Sequence, residues 1–249
     1  PTYGMYSVQA NIHGAEIRRA PLHTDFSPDA DAVLSVSDVH SKLLFLCSPN
    51  NPTGQCLPEE FILEMLATFP GLVVIDEAYG DFSGRPSWTK RLAEFPNLVV
   101  MQTLSKAWGL AGLRIGMAFS NAFIINALNK IKYPYNLNAM TIRLALQALQ
   151  QPDSVQEKVR ILLAERDRLE QALPLLPCVE KVFPSDANFL LVRVTNADDI
   201  YRYLCAQGII VRNRTKEMHC LNCLRITVGT PGENDLLVTA LLEVREEEK

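Results

Sequence analysis

The chain has 249 residues, of which 48% are hydrophobic and 21% are charged, so it can bury a sizeable core and is not a disordered chain. Its formal net charge of -4 excludes a broad electrostatic hold on nucleic acid, because that needs a basic face. No apolar run is long enough to span a bilayer, and six scattered cysteines favour reduced thiols. We therefore expect a cytoplasmic protein without nucleic-acid or membrane partners.

Three apolar segments in the first half of the chain predict buried strands. They cover residues 43–47, 72–75 and 98–101. Continuously apolar strands are typical of parallel sheets that are covered on both faces. Pro58 begins a predicted helix that ends near Phe69, since proline is favoured in the first turn of a helix. This alternation of strands and helices indicates an α/β fold.

Each of these strands runs into a polar loop. Asn51 follows the first strand, Asp76 ends the second, and Lys106 follows the third. Open α/β sheets bind ligands beyond the carboxyl ends of their strands. We therefore expect these three side chains to line one crevice, although they are far apart in the sequence.

The pattern changes after about residue 137. Helices are predicted over 139–150, 152–173, 197–207 and 233–247, and strands over 179–183, 189–194, 209–212 and 224–228. The helix over 152–173 is long, amphipathic and rich in charged residues. We expect a large domain over residues 1–137, followed over 138–249 by a connecting helix and a smaller α+β domain.

Lys106 is the first candidate for catalysis. An isolated lysine is most often a solvated surface residue, but a lysine with a neutral amine can form a Schiff base. Thr103, Ser105 and Arg114 lie near it in the sequence and offer the hydroxyl groups and the guanidinium that anchor a phosphate. Asp76, at the end of a neighbouring strand, can pair with a pyridinium nitrogen.

Two further residues complete this set. Tyr79 and the amide of Asn51 can each form a hydrogen bond with a phenolate oxygen. A lysine, an acid, a phenol, an amide and a phosphate anchor are together the groups that a pyridoxal phosphate site requires. The sequence therefore predicts pyridoxal 5'-phosphate as the cofactor.

Three motifs, in this order and spacing, resemble the fold-type I aminotransferases. They are S-P-N-N-P-T-G at 48–54, D-E-A-Y at 76–79 and T-L-S-K-A-W-G-L-A-G-L-R-I-G at 103–116. P-T-Y-G-M-Y at 1–6 and C-L-R-I-T-V-G-T at 223–230 resemble the histidinol-phosphate aminotransferases in particular. The resemblance covers essentially the whole chain. It implies a mostly parallel sheet in a large cofactor-binding domain and a smaller α+β C-terminal domain.

The resemblance also implies a role for each motif residue. Lys106 matches the catalytic lysine, which binds the cofactor covalently and later moves a proton. Asp76 matches the partner of the pyridine nitrogen, which it keeps protonated. The other matched cofactor contacts are Tyr79 and Asn51 at the ring oxygen, Thr103, Ser105 and Arg114 near the phosphate, and Tyr3 against the ring.

Arg225 matches the arginine that binds the anionic end of the substrate. In the histidinol-phosphate enzymes that end is a phosphate, and Arg212 matches a second arginine that helps to hold it. Taken alone, Arg212 is equally consistent with a solvated charge at a strand end. Asn188 matches an asparagine near the site. The implied reaction moves the amino group of L-histidinol phosphate to 2-oxoglutarate in histidine biosynthesis and gives imidazole-acetol phosphate and L-glutamate.

The beginning of the chain differs from the family pattern. Family members carry a segment before the P-T-Y-G motif, with a loop at the cofactor phosphate and a tyrosine that reaches the partner subunit's site. We expect this chain to lack that N-terminal segment, and therefore to bind the cofactor weakly and to be weak or inactive by itself. The resemblance also implies a homodimer with sites at the interface.

Several alternatives remain open on the sequence alone. Transamination of aromatic amino acids and decarboxylation of threonine phosphate share Lys106, Asp76 and Tyr79 and differ in the substrate pocket. A non-enzymatic alternative is the aminotransferase-like effector domain of a regulator, which the acidic charge balance disfavours. Cys220 and Cys223 form a C-x-x-C pair, but a structural zinc site needs four ligands. We therefore expect no metal site, and a redox pair is a minor alternative.

Overall fold

A computed structural model describes residues 1–244 and contains two four-stranded sheets in that range. The strands of the first sheet are β1 (Leu43–Cys47), β2 (Leu72–Asp76), β3 (Leu98–Thr103) and β4 (Gly116–Phe119). The strands of the second are β5 (Val179–Val182), β6 (Phe189–Val194), β7 (Arg212–Asn213) and β8 (Cys223–Thr227).

Eight α-helices accompany these strands in the described range. They are α1 (Met5–Ile12), α2 (Ala30–Ser35), α3 (Glu59–Thr68), α4 (Ala122–Ile131), α5 (Ala139–Leu149), α6 (Pro152–Ala172), α7 (Ala197–Ala206) and α8 (Pro231–Leu242). None of these helices is long and apolar enough to cross a membrane.

The first sheet has the order β1-β2-β3-β4 and is mostly parallel, which confirms the predicted fold class. β1, β2 and β3 run parallel, and β4 pairs antiparallel with β3 at the edge. The register places Cys47 opposite Asp76 and Asp76 opposite Met101, so the three parallel strands end at nearly the same level. The sequence did not predict β4, because four residues after a glycine-rich turn carry too short a pattern.

Helix α3 covers one face of the first sheet. Glu59 and Glu60 lie in its first turn, where a negative charge stabilises the positive end of the helix dipole. Its buried face includes Ile62 and Met65, which belong to one apolar cluster with Val73 of β2. Removing this apolar face from water stabilises the first sheet.

The second sheet has the order β5-β6-β8-β7, and every pairing in it is antiparallel. β6 lies in its interior and is buried almost throughout. One cluster joins the sheet to α6, α7 and α8; it includes Leu190, Leu169, Leu204 and Leu237. This sheet therefore has a continuous apolar core of its own.

Two predicted elements differ from the structure. The strand predicted over 209–212 is only Arg212–Asn213, because Gly208 has a φ of +78° and the N–H of Ile209 still donates to the carbonyl of Leu204. The last helix begins at Pro231, not at residue 233, after a capping box formed by Thr230 and Glu233, and it ends at Leu242. The part of its predicted range over 245–247 lies outside the described residues.

Candidate active site

Asp76 lies at the end of β2 with a 7% exposed residue surface. Its Oδ2 accepts a hydrogen bond from the phenol of Tyr6 at 2.6 Å, and its Oδ1 accepts one from the N–H of Ala78 at 3.0 Å. Both donors are neutral, and no cation among the described residues forms an ion pair with this carboxylate. A buried carboxylate is normally paired with a cation. Asp76 therefore fits a partner such as a protonated pyridine nitrogen.

Lys106 follows β3 and reaches towards Tyr79. Its Nζ lies 5.1 Å from the centroid of the Tyr79 ring, and its side chain is exposed. Gly109, with a φ of +68°, closes the turn by donating its N–H to the carbonyl of Lys106 at 2.9 Å. Tyr79 is buried and meets Phe189 edge-on at a centroid distance of 5.0 Å. The turn thus brings the lysine amine to a buried phenol.

The three predicted phosphate contacts lie around the turn between β3 and β4. The hydroxyl of Thr103 donates to the carbonyl of Ile115 at 2.9 Å and lies 2.9 Å from the hydroxyl of Ser105. Arg114 is exposed, has a left-handed φ of 56°, and donates from its guanidinium to the carbonyl of Ala111 at 3.0 Å. Because that acceptor is neutral, the charge of Arg114 stays available to an anion.

Arg225 connects the second sheet to the first. Its Nη1 donates to Oδ1 of Asn51 at 2.7 Å, and its guanidinium lies 5.0 Å from the centroid of the Phe189 ring. Burial is the main cause that lowers the pKa of this arginine below its ordinary value, with smaller contributions from Arg214 and Arg212. Its Nε is buried and has no hydrogen-bond partner in the described structure, so the guanidinium retains an unused donor for an anion.

The other two predicted substrate contacts lie on either side of Arg225. Arg212 of β7 is its cross-strand partner in the sheet register and is exposed. Asn188 comes directly before β6, and its carbonyl accepts the N–H of Val228 at 2.9 Å. The neighbouring Arg212 and Arg225 form a positive patch of the kind that binds phosphate.

Tyr3 lies next to Tyr6, for which the sequence motifs predict no role. Its ring meets that of Tyr6 edge-on at a centroid distance of 5.5 Å, and Tyr6 in turn bonds Asp76. Tyr3 is 43% exposed, which leaves ring surface accessible. The available signal for Tyr6 was its spacing, because two aromatics one turn apart face the same side of a helical segment.

A continuous set of contacts joins four of the predicted site residues. It runs from Lys106 to Tyr79, then through Phe189 to Arg225 and Asn51. A separate cavity of about 960 Å³ beside α1 and β1 is lined in part by Tyr3 and Tyr6 but not by Lys106 or Arg225. Lys106 and Arg225 therefore do not face this cavity.

The C-x-x-C pair lies in a buried apolar cluster. Cys220 and Cys223 pack with Phe26, Phe183 and Leu191. A hydrogen bond with Cys220 is the main cause that lowers the pKa of Cys223 to about 7. Within residues 1–244 no group of three or more histidine, cysteine or acidic side chains is arranged to hold a metal ion. Cys47, Cys56, Cys205, Cys220 and Cys223 form no disulfide within residues 1–244.

Comparison with known proteins shows to which protein family the chain belongs. The sequence profile described as "Aminotransferase class I and II" matches residues 1–241. The chain therefore belongs to the class I and II aminotransferases. Within this family it is similar to the histidinol-phosphate aminotransferase of Parabacteroides distasonis, with 51% identity over 245 residues that cover 98% of this chain and 71% of that protein.

Solved structures agree with this assignment of the fold. The histidinol-phosphate aminotransferase of Clostridium acetobutylicum superposes with a TM-score of 0.91 at 23% identity, over 97% of this chain and 75% of that one. The enzyme of Sinorhizobium meliloti in complex with pyridoxal-5'-phosphate gives a TM-score of 0.85 at 26% identity, over 97% and 67%. L-Threonine-O-3-phosphate decarboxylase of Porphyromonas gingivalis gives 0.81 at 25% identity, over 97% and 74%.

Proposed function

We propose that this aminotransferase uses pyridoxal phosphate to transfer the amino group of L-histidinol phosphate to 2-oxoglutarate. The observation that carries the proposal is the set of contacts that links Lys106 to Arg225 through Tyr79 and Phe189. These contacts connect an amine, which can move a proton, with a guanidinium, which can hold an anion. The names of the relatives at about half identity support the choice of substrate.

The cofactor supplies an electron sink for the charge that develops on the substrate α-carbon. Asp76 keeps the ring nitrogen protonated, since a buried carboxylate stabilises a neighbouring positive charge. Lys106 holds the cofactor and moves the proton at the substrate α-carbon. Tyr79 and Asn51 bind the ring oxygen, and Tyr3 lies against the ring. Thr103, Ser105 and Arg114 bind the cofactor phosphate.

Arg225 and Arg212 bind the phosphate of the substrate, and Asn188 lines the same part of the site. A half-buried guanidinium with an unused Nε donor suits a dianion, because charge-assisted hydrogen bonds are stronger than neutral ones. The bond from Arg225 to Asn51 also brings the substrate anchor next to a cofactor contact. Holding the anionic end in place orients the reacting carbon and thereby accelerates the reaction.

Decarboxylation of threonine phosphate is the second candidate function. Its substrate also carries a phosphate, and a decarboxylase of this name is among the similar structures. It matches at 25% identity, about half the identity of the aminotransferase relatives. Transamination therefore stands first.

Turnover with competing substrates tests this choice. In the intact protein, including any residues that precede Pro1, histidinol phosphate with 2-oxoglutarate should yield glutamate, whereas phenylalanine should react poorly and threonine phosphate should release no carbon dioxide. Faster reaction with an aromatic amino acid, or release of carbon dioxide, would contradict the proposed substrate.

A separate experiment tests the cofactor and its lysine. The protein is mixed with pyridoxal phosphate, reduced with borohydride and digested, and the modified lysine is located by mass spectrometry. We expect selective labelling of Lys106. Labelling spread over many lysines would contradict the assigned site.

We also propose that two copies associate, that residues 1–137 and 138–249 are separate domains, and that the enzyme works in the cytoplasm. Large apolar side chains are exposed on and between α4 and α5, and they support association: Phe123, Ile131, Tyr133, Tyr135 and Met140. The thiols of Cys47, Cys56, Cys205, Cys220 and Cys223, which form no disulfide within residues 1–244, support a reducing compartment. Sedimentation velocity should give a dimer, and a monomer at all concentrations would contradict this.

A further inference from the structure

Tyr6 is the only side chain that donates to the carboxylate of Asp76 among the residues that the structure describes. The other donor is a backbone group, the N–H of Ala78. The two donors bond different oxygens, so together they fix the plane of the carboxylate. Without the phenol, Oδ2 has no donor from the described chain and the carboxylate can rotate about its Cβ–Cγ bond.

The phenol of Tyr6 remains protonated, and it is therefore a donor under all ordinary conditions. Burial is the main cause that raises its pKa far above the usual value for tyrosine, and the neighbouring Cys47 and Asp76 raise it further. The distance of 2.6 Å is typical of a hydroxyl that bonds a carboxylate. The proton therefore lies on the phenol, and Asp76 is the acceptor.

The ring of Tyr6 is held on both sides. It stacks on Phe45 of β1 at a centroid distance of 5.0 Å and an interplanar angle of 24°, and it meets Tyr3 edge-on. These contacts restrict the ring without involving the hydroxyl. One residue thus touches both Asp76 and Tyr3, the side chains assigned to the nitrogen and to the ring of the cofactor.

We propose that Tyr6 is a positioning residue, whose hydroxyl orients the Asp76 carboxylate towards the ring nitrogen of the cofactor. This inference rests on the proposed function, because it requires that Asp76 bind that nitrogen. Tyr6 itself needs no contact with substrate. The Tyr6 hydroxyl contributes to cofactor binding only by orienting Asp76. This contribution should therefore disappear when the ring has no nitrogen for Asp76 to bind.

The test compares two ligands on one substitution. Tyr6→Phe keeps the ring and its stack on Phe45 and removes only the hydroxyl. Binding is measured by equilibrium dialysis for pyridoxal phosphate and for its carbocyclic analogue, in which carbon replaces the ring nitrogen. We expect Tyr6→Phe to raise the dissociation constant for the cofactor about tenfold, the size of one hydrogen bond to a charged group. The constant for the analogue should change by less than about twofold, because the coupling is lost.

Tyr203→Phe is the matched control. Its hydroxyl donates to Oε2 of Glu243 at 3.2 Å, so this variant also removes a phenol–carboxylate bond, but one in the second half of the chain. Both dissociation constants should stay unchanged. A thermal melt of each variant without ligand checks that the fold persists. The visible circular dichroism of the bound cofactor should weaken in Tyr6→Phe only, since it reports how firmly the ring is held.

The outcomes separate this inference from the proposed function. If the unsubstituted enzyme binds the cofactor no better than the analogue, Asp76 does not bind the ring nitrogen. That result would overturn both the role of Tyr6 and the proposed function. If it does prefer the cofactor, and Tyr6→Phe keeps that preference, the role of Tyr6 alone is wrong. Equal weakening of both ligands would mean that Tyr6 only packs against its neighbours, which also overturns the inference.

Discussion

The two sheets differ in how completely they are covered. In the second sheet, Phe189, Leu190, Leu191 and Val192 of β6 are at most 1% exposed, because helices and neighbouring strands enclose them. In the first sheet, β1 has an open edge with Leu43 54% exposed. Yet Asp76 ends β2 of the first sheet and Lys106 follows β3, so most of the proposed chemistry depends on the less enclosed half of the molecule.

This difference separates stability from catalysis. The second sheet holds Arg225 on a strand whose neighbours are buried, which gives the proposed substrate anchor a firm support. The first sheet supplies groups at strand ends, where backbone packing leaves side chains free to face a ligand. The hydrogen bond from Arg225 of β8 to Asn51, which follows β1, connects the two sheets.

Replacing one leucine of each sheet by alanine should show the difference in burial most strongly. Leu190→Ala, at a position with no exposed surface, is expected to lower the free energy of unfolding by about 2–5 kcal/mol, because it leaves a cavity. Leu43→Ala should change the free energy of unfolding by less than about 0.5 kcal/mol, since more than half of this residue is already exposed to water. Urea titrations give both values. Equal losses would show that the edge of β1 is covered in solution, for example by a second copy.

The ends of two helices give a smaller contrast, with opposite signs. Thr230 caps α8, and Thr230→Ala should cost about 1 kcal/mol of unfolding free energy. Gly4 precedes α1 with an ordinary helical φ of -59°, and a Cβ there would meet no atom within 4 Å. Gly4→Ala should therefore stabilise the protein by about 0.4–1 kcal/mol, because it restricts the unfolded chain. Thermal melts of both variants measure the signs, and a destabilised Gly4→Ala would contradict the open environment of this position.

The sequence predicts the strands and strand-end residues that short contiguous segments specify. Apolar runs marked β1, β2 and β3, and parallel strands bring Asp76 and the start of the Lys106 turn to one edge by geometry alone. The contact between Tyr6 and Asp76 was missed, because it joins residues 70 positions apart and depends on how α1 lies against β1. The bond between Arg225 and Asn51 spans 174 positions, so a motif can suggest each residue but not their contact. β4 was too short to leave a clear periodicity, and the strand predicted over 209–212 is only Arg212–Asn213.

The smallest expected effect concerns pH and belongs to the second sheet's helices. Glu165 of α6 accepts hydrogen bonds from Arg168 and from the buried Asn234 of α8. The bond with Arg168 is the main cause that lowers the pKa of Glu165 below 4.5, followed by the bond with Asn234. A carboxyl group with a lowered pKa stabilises the fold above its unfolded pKa, and this stabilisation is lost as the pH falls through the folded value.

Glu165→Gln keeps the shape of the side chain and removes its titration. Unfolding free energies measured by urea between about pH 7 and about pH 3 should fall more steeply for the unsubstituted protein than for the variant, because only the former loses this charge. Glu157 provides the matched control, since it bonds Arg160 on the same helix but its side chain is 54% exposed. Glu157→Gln should leave the slope nearly unchanged, because exposed ion pairs contribute little. Parallel curves for Glu165→Gln and the unsubstituted protein would mean that the α6–α8 contact is insensitive to this charge.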